Sequence, residues 1–210
     1  MAENTTSTTS MTSATEAAGA TDGAAKRFGM VIDTTVCVGC QTCVVGCNIA
    51  HELPSDLVWG HVLSFDGDEV YQPTGTFPSP VLKFRPTLCN HCDNPACVAA
   101  CPTGAMAKDP ATGIVSPDPE VCIGCGMCVA ACPYGVPVIN EELSKSSKCT
   151  FCKERTTKGI EPFCVAACPA NARVFGDLDD PDSEVAQLVA AGAQPWMPEA
   201  GTEPCVFYVE

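Results

Sequence analysis

Hydrophobic positions in this chain come in short runs broken by glycine, proline and polar residues. No run approaches the roughly 18 apolar residues that a membrane span needs. Phe28-Gly29-Met30-Val31-Ile32-Asp33 predicts a strand over 28–33, and Ile114-Val115, Val138-Ile139 and Val174-Phe175 predict further short strands. Single helical turns are predicted over 98–101, 129–132 and 165–168. Val58-Trp59-Gly60-His61-Val62-Leu63-Ser64-Phe65 and Glu69-Val70-Tyr71-Gln72 flank Asp66-Gly67-Asp68. Asp-Gly between β-prone runs predicts a hairpin. Near the end, Asp180 can cap a helix, Pro181 suits its first position, and Asp182 and Glu184 favour its positive end. That helix should run to about Ala191 and stop at Gly192. Pro195-Trp196-Met197-Pro198 then forms an extended apolar strip, suited equally to packing on the chain's own core or to contacting a partner.

Composition changes this picture of a small-element α+β protein in one respect. Hydrophobic content is 46% over 210 residues, yet only 6% is aromatic. Small residues dominate around the cysteines, as in Cys97-Val98-Ala99-Ala100-Cys101 and Cys164-Val165-Ala166-Ala167-Cys168. A core of this kind leaves volume that something other than large side chains must fill.

The cysteines supply the candidate. Sixteen of the seventeen fall into four groups of four, each closing with a three-residue gap. Cys37, Cys40, Cys43 and Cys47 read C-x2-C-x2-C-x3-C, and Cys122, Cys125, Cys128 and Cys132 repeat that spacing. Cys89, Cys92, Cys97 and Cys101 read C-x2-C-x4-C-x3-C. Cys149, Cys152, Cys164 and Cys168 read C-x2-C-x11-C-x3-C. Pro102, Pro133 and Pro169 follow three of the fourth cysteines. Ferredoxin-type [4Fe–4S] sites are built this way: three close thiolates wrap one cluster and the fourth reaches a different one. Disulfide frameworks scatter their cysteines more widely. Structural zinc sites come as two pairs across a long spacer and have no use for a third nearby thiolate with a staggered fourth. Sixteen ligands therefore predict four [4Fe–4S] clusters and an apo-chain that folds poorly. Cys205, with no cysteine neighbour, reads as a buried or free thiol.

Net charge is −14, and four oxidised cubanes at about −2 each would take it to roughly −22. Such a chain should avoid nucleic acid and anionic membrane surfaces and suits a protein partner with basic patches. Residues 1–26 are rich in Ser, Thr and Ala, with neither a basic start nor an apolar middle. They read as a disordered leader without an export signal of its own. No acid–base pair or nucleophile constellation appears, so no residue is assigned a catalytic role; His51, His61 and His91 are isolated and read as structural.

The four groups also form an internal repeat. Only 20 residues separate Cys101 from Cys122, so the two middle groups should make one two-cluster ferredoxin-like unit over 87–144. The outer groups should pair around it, over 27–52 and 145–176. Residues 53–86 are then an inserted hairpin, and 177–210 a C-terminal helix and partner-contact tail.

The order and spacings of all four groups resemble the iron–sulfur electron-transfer subunit of the dimethyl sulfoxide reductase family of molybdopterin oxidoreductases. Cys37-Val38-Gly39-Cys40-Gln41-Thr42-Cys43, Cys89-Asn90-His91-Cys92-Asp93-Asn94-Pro95-Ala96-Cys97, Cys122-Ile123-Gly124-Cys125-Gly126-Met127-Cys128 and Phe175-Gly176-Asp177-Leu178 carry the resemblance, which spans roughly residues 27–200. It implies crossed ligation. Cys37, Cys40, Cys43 and Cys168 would bind one cluster, and Cys149, Cys152, Cys164 and Cys47 its neighbour. Cys89, Cys92, Cys97 and Cys132 would bind the third, and Cys122, Cys125, Cys128 and Cys101 the fourth. Some relatives carry tryptophan at the position of Cys125 and a three-iron cluster; cysteine here implies four cubanes.

The resemblance further implies a relay of single electrons between a molybdopterin catalytic subunit and a membrane anchor or soluble carrier. Association with a membrane would come through those partners, either after export with the catalytic subunit or in the cytoplasm. Backbone amides of the Gly39, Gly124 and Gly126 turns are expected to donate to sulfur. A free-standing polyferredoxin carrier is the alternative, though it would need neither the hairpin nor the tail. An enzyme using a cluster as a Lewis acid would need a missing ligand, and all sixteen are present.

Overall fold

The computed structural model describes residues 25–64 and 73–210. Most of the expected disordered leader, and the Asp66-Gly67-Asp68 turn with the 69–72 run after it, lie outside the described residues. The rest is an α+β fold of short elements. In chain order they are β1 (Phe28–Asp33), α1 (Thr42–Ala50), β2 (His61–Ser64), β3 (Phe84–Thr87), α2 (Ala96–Ala99), β4 (Met106–Lys108), β5 (Val115–Pro117) and α3 (Met127–Ala131). There follow β6 (Val138–Asn140), β7 (Lys145–Ser147), α4 (Lys153–Thr156), α5 (Phe163–Ala166), β8 (Arg173–Asp177), α6 (Glu184–Ala190), β9 (Gln194–Pro195) and β10 (Val206–Val209).

The strand predicted over 28–33 occupies those residues and becomes the middle of the main sheet, whose order is β8-β1-β10-β9. Strand β8 pairs with it antiparallel, Met30 opposite Phe175, and β10 parallel, Met30 opposite Val206. A strand flanked on both edges and covered on both faces must be apolar throughout, and Met30, Val31 and Ile32 are all fully buried. The pairing also brings the start of the chain against its end, so the first and last cysteine groups open from the same sheet.

The predicted helical turns exist, but each begins two residues earlier than expected. Proline fixes their far ends. A residue before proline is pushed out of the α region, so Cys132, ahead of Pro133, is extended at φ −79, ψ 117. Likewise α2 ends at Ala99 and α5 at Ala166, short of Cys101 and Cys168. Cys47 is followed by Asn48, and there the helix runs on to Ala50. The third cysteine of every group (Cys43, Cys97, Cys128 and Cys164) is the second residue of its helix. The fourth follows one helical turn later.

The structure adds one strand pairing and corrects one expectation. The partner of β2 among the described residues is β3, with His61 opposite Thr87 and Ser64 opposite Phe84. This pairing buries Val62, Pro86, Ser64 and Thr87. The C-terminal helix is capped by Ser183, whose Oγ accepts from Ala186 N at 3.2 Å. Asp180 instead closes the preceding turn, its carboxylate accepting from Asp182 N at 3.0 Å.

The tail beyond α6 belongs to the core. Strands β9 and β10 complete the main sheet, and Val206 and Tyr208 are buried in it. Trp196 packs against that core beneath Arg85, whose guanidinium lies 5.6 Å from the ring centroid. The apolar strip is thus used within the chain itself.

Candidate functional site: four groups of thiols

The sixteen cysteines gather around four places, and sequence neighbours do not always stay together. One cavity is lined by Cys37, Cys40, Cys43 and Cys168. A second is lined by Cys122, Cys125, Cys128 and Cys101. A third holds Cys149, Cys164, Cys47 and the edge of Cys43, and Cys152 acts electrostatically on both Cys47 and Cys164. Cys89, Cys92, Cys97 and Cys132 act on one another in the same way. Cys205 is buried apart from all four, near Asp93, Lys108 and Arg27.

Glycine makes the loops of the Cys37 and Cys122 groups possible. Gly39 (φ +67) leaves no room for a side chain beneath the Phe84 ring, and a Cβ on Gly124 (φ +69) would collide with the Ser144 carbonyl oxygen. Helices α1 and α5 touch at Gly46, where an added Cβ would meet Phe163 at 2.6 Å.

Sulfur here is surrounded by donors. Backbone N–H groups of Met106, Ser146, Phe151, Phe163 and Ala172 donate to Cys101, Cys122, Cys149, Cys152 and Cys168 at 3.3–3.4 Å. The Gly39 amide reaches Cys37 as expected. In the Gly124–Gly126 loop the donor to Cys122 comes instead from across the groove, from Ser146 on β7.

Burial raises the proton affinity of eight of these thiols. It pushes Cys47 and Cys97 up to about 12 and Cys92 to about 11, with neighbouring thiolates adding to the effect. Burial also raises Cys149 well above the ordinary thiol range, with the charge of Cys89 adding to it. Cys40, at the surface, and Cys101, half-buried, are lowered, Cys40 by the Thr42 hydroxyl and Cys101 by the Met106 amide. Buried thiols crowded in this way resist ionising unless a metal takes the proton's place.

Three contacts were not legible from the sequence. Arg173 is buried and donates to Cys43 Sγ at 3.4 Å, with Cys164 Sγ at 4.0 Å. Burial opposes its charge, but the Cys164 and Cys43 thiolates more than offset that and raise it. Lys148 donates to Cys89 Sγ at 3.3 Å. His51 Nε2 lies 3.2 Å from Cys152 Sγ, so this histidine is a sulfur neighbour rather than an isolated ring. The sequence held only a faint signal for them: single cations beside ligand-like cysteines, in a stretch otherwise of small residues.

Among the described residues, no three His, Cys, Asp or Glu side chains stand closely enough to hold a single metal ion. A tetrahedral zinc site with Zn–S near 2.3 Å would draw its sulfurs to about 3.8 Å of one another. Thiols ringed around cavities and met by N–H donors fit a larger inorganic core.

Comparison with known proteins decides the class. The 4Fe-4S dicluster domain family matches residues 80–178. A dimethyl sulfoxide reductase iron–sulfur subunit from Halobacterium salinarum is 37% identical, over 87% of this chain and 79% of that protein. The chain belongs to the iron–sulfur electron-transfer subunits of the dimethyl sulfoxide reductase family. This iron–sulfur subunit is also 37% identical to the arsenate respiratory reductase iron–sulfur subunit ArrB of Shewanella sp., covering 87% of the chain and 96% of ArrB. A tetrathionate reductase subunit of Salmonella typhimurium is 40% identical, over 87% and 72% of the two chains. No helix among the described residues of the iron–sulfur subunit is long and apolar enough to cross a membrane.

Proposed function

We propose that this subunit binds four [4Fe–4S] clusters in a row and passes single electrons between a molybdopterin catalytic subunit and a membrane anchor or soluble carrier. When bound, such clusters supply one-electron carriers whose potentials the protein sets through hydrogen bonds, burial and charge. The ligand sets are the four crossed groups: Cys37, Cys40, Cys43, Cys168; Cys149, Cys152, Cys164, Cys47; Cys89, Cys92, Cys97, Cys132; and Cys122, Cys125, Cys128, Cys101. The first two make an outer unit and the last two an inner one.

The observation that carries this reading is the adjacency of the groups. Arg173 touches Cys43 of the first and lies beside Cys164 of the second. Lys148 touches Cys89 of the third and the carbonyl of Cys149 of the second. Cys97 of the third and Cys128 of the fourth share one apolar cluster with Met106 and Val115.

Exposure supports the same order. Cys40 and Cys125, at the two ends, are exposed, while Cys89 and Cys149 in the middle are buried. Val38 lines the Cys40 cavity and Ile123 and Met127 the Cys125 cavity, all exposed by half or more. Apolar side chains around the two end sites suit docking of electron donor and acceptor. Relatives named as subunits of reductases favour a complex over a free-standing carrier, with membrane association through partners, either after co-export with the catalytic subunit or in the cytoplasm.

Iron and acid-labile sulfide assays on the anaerobically purified chain should give about sixteen of each. Purification from the native host should bring a molybdopterin protein with it. Tightly bound zinc without sulfide would overturn the cluster reading, and a chain isolated alone with full iron would favour the carrier.

A further inference from the structure

A buried ammonium stands where the second and third groups in that row meet. Lys148 is 1% exposed. Its Nζ donates to Cys89 Sγ at 3.3 Å, to the Cys149 carbonyl at 3.0 Å and to the Val115 carbonyl. Three acceptors match the three N–H donors of a protonated ammonium. None of the ion pairs among the described residues involves Lys148. A cation taken out of water needs a counter-charge, and the nearest candidates here are sulfur.

Several features tie Lys148 to both sides of this junction. Beyond burial, the largest charge acting on Cys149 is that of Cys89. The field of Lys148 extends to Cys97 in the same group as Cys89. The rings of His91, between Cys89 and Cys92, and Phe151, between Cys149 and Cys152, stack across the junction with centroids 3.8 Å apart. The three junctions differ in kind: Arg173 occupies the first, Lys148 the second, and the apolar cluster of Cys97, Met106, Val115 and Cys128 the third.

We propose that Lys148 is a positioning residue for electron passage at the middle of the row. Its fixed charge offsets the repulsion between two anionic clusters and raises the reduction potential of the one held by Cys89, Cys92, Cys97 and Cys132. An electron added beside a fixed positive charge in a low-dielectric interior is stabilised directly, and more strongly the closer it sits. The proposal rests on the relay reading above.

Lys148→Met and Lys148→Gln remove the charge, and Lys148→Arg keeps it. Each iron-loaded protein is titrated redox-potentiometrically with EPR detection, with iron and sulfide counted in parallel. In the two neutral variants the Cys89 cluster should become at least tenfold harder to reduce, a fall of about 59 mV for a one-electron couple. The Cys149 cluster should fall less, the Cys37 and Cys125 clusters should not move, and the arginine variant should stay near wild type. An unmoved Cys89 cluster in a fully loaded neutral variant, or an equal fall in all four, overturns the proposal. Loss of that cluster from the neutral variants would assign the residue to assembly and overturn the tuning role as well. A wild-type chain without about sixteen irons would instead overturn the relay reading itself.

Discussion

The guanidinium of Arg173 donates to the sulfur of Cys43 at 3.4 Å, although 130 residues separate the two. The same side chain reaches Met30 Sδ at 3.5 Å on the central strand. One buried cation thus links the Cys37 group, the Cys149 group and the main sheet. Arg173→Ala should lower the unfolding free energy of the loaded protein by about 3–5 kcal/mol, the cost of breaking a buried charge interaction from one side. Iron should be lost from the outer two sites before the inner two. Chemical denaturation followed by cluster absorbance, with iron counts on the folded fraction, measures both. Equal loss from all four sites would contradict this division.

Cys168 stands with Cys37 and Cys40, although it closes the last group in sequence. Cys37→Ser and Cys168→Ser should therefore alter the same EPR signal. Cys47→Ser should alter the signal that Cys149→Ser alters. The crossing would be refuted by a Cys47→Ser spectrum that matches Cys37→Ser. A serine oxygen can still ligate iron, so a shifted signal is the expected outcome in each case and complete loss is not required.

Cys125 is exposed between Gly124 and Gly126, both at positive φ, and Gly126 has open space around it. The loop can carry a larger side chain that does not ligate. Cys125→Trp should convert one four-iron site to a three-iron site, visible as a new EPR signal in the oxidised protein. The remaining sites should keep about twelve irons. Absence of that signal with all iron retained would mean that Cys125 is not a ligand.

Gly124 and Gly126 share one loop yet predict different penalties. Alanine at either must adopt a left-handed backbone, costing about 1–2 kcal/mol. At Gly124 the new Cβ would also collide with the Ser144 carbonyl oxygen, a backbone atom that cannot rotate away. Gly124→Ala should therefore destabilise the protein clearly more than Gly126→Ala and loosen the Cys122 site. Denaturation midpoints of the two variants settle the order; equal midpoints would show that the loop can shift away from β7.

Hydrophobic runs, proline sterics and ligand spacing are local properties, and they were enough to read many of the elements and the iron–sulfur class. The central strand at Phe28–Asp33, the helical turns ahead of Cys-Pro, and the division of sixteen cysteines into four groups all follow from them. Whatever depends on distant residues meeting was settled by packing. Ser183 took the cap from Asp180 because its hydroxyl sits where α6 begins. Strand β2 found β3 some twenty residues on, because that register buries Val62 and Pro86. The tail became two strands of the main sheet, since β1 needed a second flanking strand. Above all, the fold placed Arg173 and Lys148 beside sulfur. A buried cation reads in sequence like any other lysine or arginine; only the packing that excludes water from it, and brings Cys43 or Cys89 within reach, gives its charge a role.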